Sequence, residues 1–147
     1  MGVSFYRKGK RRGKELAMMG YGKFNFIRAI FQACWDPQFG LDYYSWEDRK
    51  WSDAHPSFPK AMLDLFAQPD CEGELSNEQC KAICSELEKN DTFMQRKPFT
   101  ELSRPSRYSS RAWTNTWMNE PEWRDEAEKF YKMLKDCAKR GCGIEWF

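Results

Sequence analysis

Three acids crowd one short stretch, Pro69-Asp70-Cys71-Glu72-Gly73-Glu74-Leu75, and carboxylates beside a glycine can hold a cation or act as general acid and base. With Gly73 at the sixth position of a calcium loop, Asp70 and Glu72 take the third and fifth and Leu75 the apolar eighth. The first position then holds Gln68, and the twelfth holds Gln79 where a bidentate Glu has to close the oxygen cage. Too little charge remains to dehydrate Ca²⁺. A helix start explains more of the residues. Ser76 followed by Gln79 forms a capping box, Glu78 suits the positive first turn, and Cys80, Ile83, Cys84 and Leu87 make one apolar stripe. Gly73 then supplies the turn ahead of the helix. Acids need no signature spacing, so a small hydrolase or nucleotide-processing enzyme working through Asp70, Glu72 or Glu74 is the alternative reading.

The other chemistry-bearing residues point away from catalysis. Cys80 and Cys84 share a helical face and Cys137 and Cys142 straddle a helix end, but these spacings are not the tight knuckles of a zinc site. Inward cysteines at helical spacing serve as small hydrophobes. His55 is the sole histidine, with Asp53 near it in sequence and no nucleophile or oxyanion donor to complete a catalytic set. No phosphate loop, HExxH or GxSxG is present. No catalytic residue, metal or cofactor is assigned on these grounds.

The distinctive chemistry is cationic. Arg7, Lys8, Lys10, Arg11, Arg12 and Lys14 precede the first acid, Glu15, and leave 18 basic against 22 acidic residues in the remainder of a chain of net charge +2. Projecting from the body, such a cluster could neutralise several phosphates with an affinity that falls steeply with salt. A second basic region contains Arg104, Arg107 and Arg111 interleaved with Tyr108 and Trp113, aromatics able to stack on bases or nucleotides. These eleven residues form the expected ligand-binding set. The function they imply is non-catalytic binding of an anionic partner: nucleic acid, a nucleotide or an acidic protein surface. A structural module that buries the aromatics between Trp35 and Phe58 against a protein is a third reading.

The elements that must position these residues follow from periodicity. Met1-Gly-Val-Ser-Phe-Tyr6 alternates as a short strand with Val3 and Phe5 on one face, and the charged run after it is a hairpin tip or an arm over 7–14. Phe24, Ile27, Phe31 and Cys34 predict a helix over Lys23–Cys34. Met62, Leu65 and Phe66 predict a short one after Pro59, which suits its first turn. Residues 91–118 have no period and contain Pro98 and Pro105, so a long basic, aromatic loop is expected. Asn119 is a suitable cap for a helix whose stripe is Trp123, Ala127, Phe130, Tyr131, Leu134 and Cys137; Gly141 stops it before a terminal strand in Gly-Ile-Glu-Trp-Phe147. Strands at both ends sharing one small antiparallel sheet, with about four helices packed on it, make the fold α+β.

At 147 residues the expectation is one domain, with 41% apolar residues enough for a core. No apolar run has signal-peptide or membrane-span length, so a cytoplasmic monomer or homodimer without membrane contact is expected, its six cysteines reduced.

Three blocks carry a resemblance: Tyr21-Gly-Lys-Phe-Asn-Phe-Ile-Arg28 and its flank, Asp70-Cys-Glu-Gly-Glu74 before its helix, and the final helix running into the C-terminal strand. The chain resembles a group of small uncharacterised bacterial and phage proteins with an aromatic-Gly-x-Phe-x-x-x-Arg segment, an Asp-Cys-acid-Gly-Glu turn and a helix–strand ending. The resemblance spans about half the chain. It implies a shared α+β fold and a phage or mobile-element origin, with an accessory or counter-defence role in the host cytoplasm. It carries no activity.

Overall fold

Val3 and Phe5 alternate with Ser4 and Tyr6, and that period of two sends the first pair into the core and the second to the other face of a strand. The computed structural model describes residues 2–9, 13–37, 57–99 and 120–147. Its strands are β1 (Gly2–Arg7), β2 (Ala17–Gly20), β3 (Gly73–Leu75) and β4 (Ile144–Trp146), and its helices α1 (Tyr21–Trp35), α2 (Lys60–Phe66), α3 (Asn77–Lys89), α4 (Asp91–Met94) and α5 (Glu120–Lys139). The four strands form one antiparallel sheet in the order β2-β1-β4-β3. The fold is α+β, with the N- and C-terminal strands paired side by side at its centre.

Register follows from burial. Phe5 sits opposite Trp146 and Leu75 opposite Ile144, so the inward residues of three strands meet the helices on one face. The rings of Phe5, Phe24, Phe130 and Trp146 lie 5.3–5.6 Å apart in edge-on and tilted pairs. Each such ring removed from water contributes about 1.5–3 kcal/mol. On α5 the stripe from Trp123 to Cys137 is buried as its spacing requires, packed on α1 and α3.

Several elements depart from the sequence expectation. Gly73 does not supply a turn; it opens β3 directly opposite Trp146. A Cβ there would lie 2.7 Å from Cε2 of the Trp146 indole, so the glycine makes room for a ring. A strand of three residues has no readable period, and neither β3 nor the short β2 was expected. At the start of α2, Pro59 is the N-cap, in extended conformation, and not the first helical residue. Residues 91–94, placed in the long loop, form a helical turn because the Asn90 side chain accepts from the Phe93 amide. The capping box of α3 is present: Ser76 Oγ accepts from Gln79 N at 3.1 Å, and Gln79 Oε1 accepts from Ser76 N at 2.8 Å. Asn119 lies outside the described residues. Among the described residues, no helix is long and apolar enough to cross a membrane.

Candidate functional site

α5 ends in Arg140-Gly141-Cys142-Gly143, and the backbone explains both glycines. Gly141 has φ 70°. Its amide donates to Ala138 O at 3.3 Å and the Cys142 amide donates to Cys137 O at 3.1 Å, the paired bonds of a Schellman cap. Gly143 faces the β3–α3 junction so closely that a Cβ would strike Leu75 O and lie 3.1 Å from Ser76 Cα. Asn77 at the start of α3 clamps this corner. Its Nδ2 donates toward the carbonyls of Cys137, Ala138 and Cys142 at 3.3, 3.2 and 2.9 Å. The turn is fixed, and the backbone of Arg140 is fixed with it.

β1 runs beside β4, so its last residue arrives at the same corner. Arg7 Nη2 donates to Asp136 Oδ2 at 3.0 Å, and Arg140 Nε donates to both oxygens of Asp136 at 3.0 and 3.1 Å. The two guanidinium groups hold the Asp136 carboxyl below its ordinary range, and Asp136 in turn raises Arg7. Lys14 joins from the segment ahead of β2. Arg7, Gly13, Lys14, Arg140 and Cys142 line a cavity of about 340 Å³, within the size range of small-ligand sites. Three cations are among its described lining residues, and Asp136 pairs with two of them. A second, open groove of about 500 Å³ between α3 and α5, lined by Lys81, Lys89, Lys135 and Lys139 with Glu88, carries positive charge around the end of α5.

No protein-family model, curated protein or solved structure gives a significant match to this chain. The site is therefore read from its own geometry.

Of the expected cations, Arg7 and Lys14 are brought together, while Lys8 turns to Glu74 at 3.4 Å. Arg7 and Lys8 thus do not project free of the body, because the β1–β4 pairing lays the end of β1 against α5 and β3. Lys10, Arg11, Arg12, Arg104, Arg107, Tyr108, Arg111 and Trp113 lie outside the described residues. Arg96, at the start of the second basic region, folds onto α5 and pairs with Asp125 at 2.7 Å and Glu128 at 3.0 Å. Arg140 and Asp136 were not among the expected site residues. The signal that could have found them is their i,i+4 spacing at a helix end marked by glycine.

The three acids of the 70–74 stretch serve separate partners. Asp70 Oδ2 accepts from Asn25 Nδ2 at 2.8 Å, Glu74 meets Lys8, and Glu72 is exposed. Next to Asn25, buried Arg28 stacks over Phe24 at 4.4 Å and donates to the carbonyls of Leu65 and Gln68, satisfying the end of α2. The Phe-x-x-x-Arg segment and the acidic turn are joined as scaffold through these bonds. Among the described residues, no three His, Cys, Asp or Glu side chains are grouped to hold a metal ion. Burial pushes the Cys80 and Cys137 thiols up to about 12 and Cys84 to about 11, so they remain protonated at neutral pH.

Proposed function

We propose that this chain is a small non-catalytic binding protein that engages an anionic partner at the corner where β1 meets the end of α5. The observation that carries the reading is the convergence of Arg7, Lys14 and Arg140, from three separate parts of the chain, on one cavity whose described lining contains no acid, with Asp136 paired to two of the three. The residues beyond Lys8 would extend the contact and steer association through charge. The six free thiols support the proposed reducing, cytoplasmic setting. Membership of the phage and bacterial group it resembles, and an accessory role there, belong to the same proposal.

The test is binding of the full chain to a fluorescent single-stranded oligonucleotide at low salt, with Lys10, Arg11, Arg12 and Lys14 changed to Gln. Binding is expected to collapse, with a salt dependence shallower by about 0.7 in log–log slope for each lost phosphate contact. Affinity and slope equal to those of the unmodified chain would overturn the reading.

A further inference from the structure

Asp136 serves two guanidinium groups with two oxygens, and the division is uneven. Oδ2 is shared by Arg7 Nη2 and Arg140 Nε, while Oδ1 goes to Arg140. Nε of Arg7, the neighbouring donor on the same guanidinium edge, is buried and has no hydrogen-bond partner among the described residues. A side-on arginine–carboxylate pair uses both donors of that edge. Here the second oxygen is held by Arg140, and a buried donor on a charged group is costly to leave unmade. Arg140 itself is 59% exposed and lines the cavity with Lys14.

We propose that the cavity takes a phosphate monoester in its dianionic form, with Arg140 and Lys14 as the direct donors and Arg7 as a positioning residue behind them. This rests on the anion-binding reading above and names the partner's chemistry. An oxyanion that accepts from Arg140 draws it off Asp136. Asp136 then closes on Arg7 with both oxygens, and the orphaned Nε–H gains its acceptor. Charge favours the ester: among the described residues the lining supplies three cations, and Asp136, paired with two of them from outside the lining, leaves a surplus of two that a monoester of −1.5 to −2 at pH 7 balances. A diester carries one negative charge and leaves the site half-compensated.

The experiment titrates the full chain with phenyl phosphate and, separately, with the diester methyl phenyl phosphate, following the arginine Nε–H signals by ¹H–¹⁵N NMR. The monoester is expected to bind about tenfold more tightly, as one charge-assisted hydrogen bond implies, and to move the Arg7 Nε–H signal at saturation. Arg140→Gln and Lys14→Gln are each expected to weaken it by a similar factor. Oligonucleotides with a 5′-phosphate or a 5′-hydroxyl, and a phosphoserine peptide beside its serine form, then show which source of monoester is preferred. Equal affinity for the two esters, an Arg7 Nε–H signal unmoved at saturation, or wild-type binding by Arg140→Gln would each overturn the proposal. Oligonucleotide binding that still depends on Lys10, Arg11, Arg12 and Lys14 would, in that event, leave the broader reading standing.

Discussion

Asn77 is a small residue with a large positional task, and replacing it tests how the site corner is held. Its amide group has two protons for three carbonyls at 2.9–3.3 Å, so two full hydrogen bonds is the fair count. At about 0.5–1.5 kcal/mol each, Asn77→Ala should cost about 2 kcal/mol. For a chain of 147 residues that is a fall in Tm of about 4–8 °C, and a lower urea midpoint with unchanged slope. Asn77→Asp is the sharper probe. A carboxylate at the first helical position gains about 0.3–1 kcal/mol from the helix dipole, so surface logic makes the substitution neutral or stabilising. Here the new oxygens would face three carbonyl oxygens with no proton between them. The expected order at pH 7 is therefore wild type above Asn77→Ala above Asn77→Asp. Those carbonyls raise the folded pKa of the new carboxyl above its ordinary value, so the gap between the variants should narrow as pH falls toward about 4, as the acid regains a donor. An Asn77→Asp protein as stable as wild type at pH 7 would refute the clamp.

Two further outcomes are expected. Gly141→Ala should cost about 1–2 kcal/mol in urea unfolding for its left-handed backbone, and Gly143→Ala should cost more, because the β3–α3 backbone would have to move; the reverse ranking would contradict the corner's geometry. The depressed Asp136 carboxyl contributes stability that is present above its ordinary value near pH 4 and lost as pH falls through its lower folded value; Asp136→Asn should flatten that part of the pH–stability curve, and an unchanged curve would show that the pairing is not felt.

The helices were legible where burial is one-sided over several turns. Trp123 to Cys137 and Cys80 to Leu87 fall on period, and the Ser76–Gln79 capping box is visible in four letters. The terminal strands were legible for a similar reason, since Val3, Phe5, Ile144 and Trp146 alternate. What sequence could not reveal depends on distant approach. Gly73 resembles a turn glycine until the Trp146 ring is set beside it, and Arg7 resembles one of a free run of cations until it meets Asp136. That ion pair joins positions 129 residues apart, beyond the reach of any local pattern. The acidic stretch misleads in the same way. Its helix start is local and was readable, whereas the bonds of Asp70 to Asn25 and Glu74 to Lys8 are tertiary.

The place of β4 between β1 and β3 has a consequence for synthesis. The ribosome delivers Ile144–Trp146 last of all the described strands, so until then the two flanking strands cannot be joined. A nascent chain that has already made α3 still presents two open ladders and an indole-shaped gap above Gly73. Such unpaired edges invite association with other chains. Emergence of β4, and not the formation of any helix, is the step that closes this window.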